Sequence, residues 1–421
     1  MVLHTTAELN EFANDTSRRY TPFCVTGTVQ YVSSTSNRYL ILNDASGWTE
    51  ITNLSPATPS AGDRVALTGR AHMSAHQEPD FTASEVEILG RDTVEPPVTL
   101  TLGELSEGRH HLRQIITEGT VIDTFPDEVD AHNWFLILKD EANILPVALQ
   151  TDPDEGLDLE HLRDARIRVI GRFLRTVSGI RKYSGPFIAV DERMDLTVLD
   201  PAPDDPFTAA PLEKTLYRTP QEIAGYGRRS VTGEVLAVWN RNRAMLRTDD
   251  QRIVNLILAH GQPAPKPGEN VTAAGYPETD LFRINLTRAL LRKNDRAAVP
   301  TPETTVTDLK TVFNGIGGPN ALDPRYHGRL LRIRGVVQSI PSPNATEPRL
   351  LLACGSEKLS VDLGGNPDAA ADLDLGTVLE TTGRCLLETD SWSPDDIFPR
   401  ISSLVLIIRT PEDLRIIARP S

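Results

Sequence analysis

Three short stretches of this 421-residue chain set an aromatic ring beside cations: His132-Asn133-Trp134, Arg181-Lys182-Tyr183, and Trp239-Asn240-Arg241-Asn242-Arg243. An exposed ring next to an arginine is a stacking platform for a base or a sugar, with each stacked base contributing roughly 1–3 kcal/mol. Ligand contact is therefore the chemistry open to these residues. His132, Trp134, Arg181, Tyr183, Trp239, Arg241 and Arg243 are the candidate ligand-binding set. Trp48 and Trp392 are further rings of the same kind. Each tryptophan can equally serve as a plug for its own core or for a junction between domains, and the sequence leaves both roles open.

Covalent chemistry finds less support. The chain has no Gly-x-Ser-x-Gly, no His-Glu-x-x-His and no Gly-x-x-x-x-Gly-Lys motif. Gly315-Ile316-Gly317-Gly318-Pro319 follows a helical stretch and reads as a helix stop, not a phosphate cradle. His72, His76, Glu78 and Asp80 lie close enough in sequence to hold a metal, but the polarity of a solvated loop explains them as well. We expect no enzyme activity, no metal and no cofactor. The three cysteines, Cys24, Cys354 and Cys385, form no disulfide framework. Cys354 and Cys385 fall on strands that could be neighbours, so a disulfide and two buried thiols are both open.

The charge narrows the partners. The formal net charge is −15, which disfavours a general polyanion binder because phosphate neutralisation needs Lys and Arg. Lys and Arg less Asp and Glu comes to −6 for residues 1–95, −10 for 96–205, +5 for 206–299 and −4 for 300–421. Only the third stretch could attract an anion. No apolar run approaches the ~20 residues that span a bilayer, and Met1-Val2-Leu3-His4 does not open a signal peptide.

The elements that position these residues repeat four times. A β-type run centred on one glycine recurs at Gly27, Gly119, Gly233 and Gly335, and a second glycine run follows each at Gly69, Gly171, Gly275 and Gly383. Between them lie an apolar strand, a polar turn and a third strand, the pattern of a β-hairpin. Ahead of each copy stands Thr-x-x-Glu or Thr-x-x-Asp, at Thr5, Thr101, Thr219 and Thr305, the signature of a capped helix start. Five strands per copy fit a small barrel, and glycine in strands one and four permits the sharp coiling that a five-stranded barrel demands. An immunoglobulin-like sandwich would want seven. The expectation is an all-β protein with short helices. It would be a tandem array of four OB-like five-stranded barrels, each preceded by a short helix, over residues 1–95, 96–203, 204–299 and 300–421. Proline-rich stretches such as Asp200-Pro201-Ala202-Pro203 separate the copies.

The first copy reads Leu40-Ile41-Leu42-Asn43-Asp44-Ala45-Ser46-Gly47, then Ala61-Gly62-Asp63-Arg64-Val65-Ala66-Leu67-Thr68-Gly69, then Glu85-Val86-Glu87-Ile88-Leu89-Gly90. It resembles the repeated β-barrel modules in the extracytoplasmic part of bacterial membrane sensor histidine kinases. The second and fourth copies share the pattern in part, and the third lacks the hairpin glycine. The resemblance implies an extracytoplasmic, periplasmic sensing region that binds a small molecule, glycan, peptide or protein ligand. It also implies dimerisation through a parent receptor, and membrane attachment only through flanking helices outside this chain. Two other readings stay open. One is a single-stranded nucleic-acid protein of tandem OB type, carried by the basic third copy. The other is an interaction scaffold without a ligand.

Overall fold

A computed structural model describes residues 2–420 apart from 13–19, 34–37, 74–78, 129–131, 152–158, 176–184, 192–194, 214–218, 280–282, 296–302, 314–320, 343–344, 346 and 390–400. Arg181, Lys182, Tyr183, His76, Glu78, Trp392 and the Gly315–Pro319 stretch lie outside the described residues. The described strands form four five-stranded rings, grouped by packing into two units, Met1–Ala202 and Pro203–Ser421.

Barrel one has a helix α1 (Thr6–Phe12) and strands β1 (Tyr20–Val32), β2 (Tyr39–Asp44), β3 (Gly47–Asn53), β4 (Asp63–Met73) and β5 (Pro79–Arg91), closed in the order β1-β2-β3-β5-β4. Barrel two has β6 (Val98–Thr99), α2 (Leu102–Ser106), β7 (Gln114–Pro126), β8 (Asn133–Asp140), β9 (Asn143–Gln150), β10 (Arg166–Leu174), β11 (Phe187–Val190) and β12 (Leu196–Asp200). Its ring closes where β10 pairs with β7. In the second unit, barrel three has α3 (Pro220–Ala224), β13 (Arg229–Trp239), β14 (Arg243–Thr248), β15 (Ile253–Leu258), β16 (Asn270–Thr279) and β17 (Ile284–Lys293). Barrel four has β18 (Leu330–Ser339), β19 (Arg349–Cys354), β20 (Glu357–Asp362), β21 (Val378–Thr389), β22 (Ile401–Ile407) and β23 (Leu414–Ala418), closed by β18 on β21. Five strands in this order are the OB-type barrel.

The glycine of strand one is needed for closure. A Cβ on Gly27 would lie 2.6 Å from the Asn43 carbonyl, and one on Gly233 would lie 2.5 Å from the Arg247 carbonyl. Two residues further on, every strand one is bulged, at Val29/Tyr31, Val121/Asp123, Val235/Ala237 and Val337/Ser339. The bulge re-aims the strand, so its first half pairs with strand four and its second half with strand two. The bulged valine carbonyl then accepts the amide of Gly62, Asp164, Gly268 or Gly376. All four of these residues have positive φ, between 72° and 88°. Glycine adopts that turn conformation freely, and Asp164 is the one side chain held there.

The helix starts behave as the Thr-x-x-Glu signal says in three copies. Thr101 and Thr219 make full capping boxes with Glu104 and Glu222, and Glu8 bonds back to the Thr5 amide at 3.3 Å. The fourth copy differs. Its element is a 3-10 turn over Leu309–Phe313, and Asp308, not Thr305, holds the first amide, that of Lys310, at 3.0 Å. The helix closes one end of the barrel: Leu9 and Phe12 in barrel one, and Leu102 and Leu105 in barrel two, are fully buried. Asp44 in the β2–β3 turn bonds the Thr6 hydroxyl at 2.6 Å and the Ser46 amide at 2.7 Å, which ties α1 to the hairpin. Burial pushes the Asp44 carboxyl up, but these bonds from Ser46 and Thr6 outweigh it and hold it below its ordinary value.

The rings are not four equal copies. Barrels one and three have strand five as one described segment, whereas two described segments, β11 and β12 or β22 and β23, pair with strand four in barrels two and four. Cys24, Cys354 and Cys385 are free thiols. Cys354 and Cys385 sit on β19 and β21, which β18 separates.

Candidate ligand cleft between the first two barrels

OB barrels take ligands on the outer face of strands two and three. In the first unit this face of barrel one carries Tyr31, Ile41, Trp48 and Glu50, in register across β1, β2 and β3. Barrel two lies over it. Arg172, which follows the glycine of β10, puts its guanidinium 3.6 Å from the centroid of the Tyr31 ring. The same group donates to both carboxylate oxygens of Asp191, at 2.9 and 3.2 Å. Arg113 lies over Trp48, 5.4 Å from its centroid. Between the barrels remains a cleft of about 330 Å³. Its walls include Gln30, Tyr31, Trp48, Glu95, Arg172 and Asp191. Trp48 Nε1 is a buried donor without a hydrogen-bond partner.

The second unit is built on the same joint but fills it. Register through the strand-one glycine and bulge puts Ala237 at the place of Tyr31, Leu236 at that of Gln30 and Ile253 at that of Trp48. Arg384 corresponds to Arg172, and Ile407, its strand partner, to Ala189. Here Leu236, Ala237, Trp239 and Met245 of barrel three pack against Leu386, Val405 and Ile407 of barrel four as one apolar cluster. A carboxylate from the linker completes it: Glu303 meets Arg384 Nη1 at 2.6 Å and Arg247 Nη1 at 3.4 Å. Glu95 is its counterpart in the first unit. Each stands three residues ahead of the residue, Val98 or Val306, that bridges to strand one. Glu95 instead faces Arg113 at 4.0 Å.

Of the residues singled out from sequence, Trp48 lines this cleft, Arg181 and Tyr183 lie outside the described residues, and the others fall elsewhere. Trp239 is 2% exposed in the apolar joint and offers no free ring face, because the stacking surface of barrel three is spent on barrel four. Arg241 is exposed on the three-residue turn between β13 and β14, which is too short to wall a ligand face, and Arg243 is exposed at the first position of β14. Trp134 donates from Nε1 to Thr124 Oγ1 at 2.5 Å and packs on the core of barrel two. His132 is exposed, and its carbonyl accepts the Thr151 amide. His72 stacks on Tyr20 at 5.9 Å and approaches Asp80 at 3.5 Å. Tyr31 and Arg172 escaped notice because they belong to different barrels. The repeated Gly-Arg pair at 171–172 and 383–384 was the available signal.

Several cations of the third copy are paired within the chain. Arg247 pairs with Glu234, Arg252 with Asp250, Arg292 with Asp205 and Lys293 with Glu269. Arg228 is buried and donates to the Ala274 carbonyl at 2.6 Å.

No protein-family model matches the sequence, and no curated protein matches it. Among solved structures the chain is similar to an aspartyl-tRNA synthetase from Leishmania major, at 12% identity and a TM-score of 0.22, over 30% of this chain and 26% of that one. It is similar to asparaginyl-tRNA synthetase from Pyrococcus horikoshii, at 14% identity and a TM-score of 0.20, over 30% of this chain and 27% of that one. A murine DNA-binding protein bound to double-stranded DNA is matched at 8% identity and a TM-score of 0.24, over 43% of this chain and 99% of that one. The chain thus spans about a quarter of the length of the synthetases. At this level of similarity, none of these proteins lends the chain a function.

Proposed function

We propose that this chain is a non-catalytic binding protein that receives a small ligand in the cleft between barrels one and two. One observation carries the reading. The same joint occurs twice, and only the first copy is left open and polar, at the face where barrels of this type take ligands. A cleft of about 330 Å³ is at the small end of the range for ligand sites. Two of the three thiols give no lead to covalent chemistry, since burial pushes Cys354 up to about 11 and Cys385 higher still, which keeps both protonated and weakly nucleophilic. The resemblance of the first copy to extracytoplasmic modules of sensor kinases supports a sensing role outside the cytoplasm, with the ligand as the signal.

The test is a small-molecule screen by thermal shift against the wild-type chain and against Ala189→Ile with Gln30→Leu. These substitutions import the side chains that close the equivalent joint. Compounds that stabilise the wild type and not the filled variant are expected. A screen in which every hit acts equally on both proteins would sink the reading. Hits confined to single-stranded oligonucleotides, with affinity falling steeply in salt, would replace it with the nucleic-acid reading.

A further inference from the structure

We infer that copies of this chain associate through unlike faces, the outer face of β18 in barrel four of one copy against the outer face of β5 in barrel one of a second copy. The inference is independent of the ligand cleft. It rests on one row of side chains that all four barrels share, which crosses strand one just before its glycine and strand four three residues before its own. Barrels two and three balance that row within themselves. In barrel two Glu118 takes Arg168 at 2.8 Å and Arg166 at 3.0 Å. In barrel three Thr232 and Thr272 share a hydrogen bond of 2.9 Å.

Barrels one and four leave charge over, of opposite sign. In barrel four Arg334 stands opposite Glu380, but the ion pair of that carboxylate among the described residues is with Arg415, at 3.7 Å. Arg332 stands opposite Thr382. Both guanidiniums are exposed, and neither has a hydrogen-bond or ion-pair partner among the described residues. In barrel one Glu87 stands opposite Ala66 and Glu85 opposite Thr68. These two carboxylates are likewise exposed and without such a partner among the described residues. The cations of β4 on this sheet, Arg64 and Arg70, stand opposite Gly90 and Thr82 instead.

The spacing of the two pairs is the same. Residues two apart on a strand point the same way and lie about 6.7 Å apart, so Arg332 and Arg334 can meet Glu85 and Glu87 together. Two residues further on, each strand exposes an aliphatic side chain, Val336 at 40% and Leu89 at 49%. An apolar contact at that end would fix which arginine meets which glutamate. The acidic partner is a second copy and not a nucleic acid, because β18, β21 and β23 carry no aromatic ring on which a base could stack, while the chain itself presents the matching glutamates. Exposed ion pairs are individually weak and screened by salt, so the contact forms at high protein concentration and low ionic strength. Because it joins unlike surfaces, it repeats from copy to copy.

Sedimentation velocity on the whole chain over a range of protein concentrations, in low and in half-molar salt, tests this. The mean mass is expected to rise with concentration in low salt and to return to the monomer in high salt. Arg332→Glu with Arg334→Glu makes both faces acidic, and Glu85→Arg with Glu87→Arg makes both basic, so each variant alone should stay monomeric. Mixing the two variants should restore association, and so should the chain that carries all four substitutions. A wild type that is monomeric at every concentration in low salt overturns the inference. So does association that survives in either variant alone, or a mixture that stays monomeric. A monomer that instead binds poly-glutamate or a single-stranded oligonucleotide, and loses it with Arg332→Glu and Arg334→Glu, hands the β18 face to that partner and overturns self-association.

Discussion

Arg172 of barrel two lies over the Tyr31 ring of barrel one, 3.6 Å from its centroid, and is held there by Asp191. One guanidinium thus fixes the width of the cleft, because it joins the two barrels across a polar gap. The ion pair is mostly buried, with side-chain exposures of 17% and 24%. Arg172→Ala would leave Asp191 without its partner in a desolvated place. We expect a loss of about 2–4 kcal/mol in urea unfolding, since stranding one partner of a buried pair costs more than the pair contributes. Adding Asp191→Asn should restore part of that loss. Equal, additive losses in the two single variants would contradict the coupling.

Glu303 should have a comparable structural effect. It sits between Arg247 and Arg384, whose side chains are 10% and 7% exposed. Glu303→Gln leaves Arg384 short of its carboxylate while Arg247 keeps Glu234. Destabilisation of about 3 kcal/mol is expected, read as a lower urea midpoint. Ligand affinity of the first-unit cleft should not change.

Trp239→Ala should cost about 3–5 kcal/mol, the range for removing a large buried aromatic. Its indole fills the apolar joint of the second unit. If it were instead a stacking platform, the variant would keep its melting temperature and lose a ligand. Calorimetry beside a thermal melt separates the two.

His327 sets an acid limit on the second unit. Its ring is buried between Arg283, the Leu387 amide and Asn255, and burial together with the Arg283 charge holds it well below the ordinary histidine value. The native ring stays neutral where the unfolded one, titrating near pH 6.5, takes up a proton. Stability from this group is therefore full above about pH 6.5. It falls as pH drops below that, by up to about 1.4 kcal/mol per pH unit, until the native ring protonates too. Urea midpoints at pH 7.5 and pH 5 should differ less in His327→Gln than in the wild type. An unchanged difference would remove His327 as the source.

Gly27→Ala and Gly233→Ala should each destabilise the chain, by about 2 kcal/mol or more. The added methyl would press on a carbonyl of the neighbouring strand 2.6 or 2.5 Å away. Gly227→Ala is the control, because nothing lies within 4 Å of its Cβ position and its φ is not positive, so only a small effect on the melt is expected.

Much of the architecture was legible because it is enforced locally. A glycine had to recur wherever strand one meets a carbonyl of strand two. Three of the four helix caps followed from Thr-x-x-Glu, and the fourth failed because Asp308 takes the capping role three residues later. The pairing of barrels was not legible. It depends on whether an outward position holds Tyr31 or Ala237, and no local pattern says which outward side chains meet another barrel. The cleft was hidden for the same reason, since Tyr31 and Arg172 are remote in sequence and meet only after both rings have closed. Tryptophans beside arginines drew attention to Trp134 and Trp239, yet both are consumed by packing.

Barrels one and three close as hydrogen-bonded hoops, so most of their strand edge is paired within the ring. Closure leaves little edge for a foreign peptide to join or for sheet growth to copy. Recognition by such a hoop therefore falls mainly to side chains, which makes the choice between Tyr31 and Ala237 the difference between a reader and a strut.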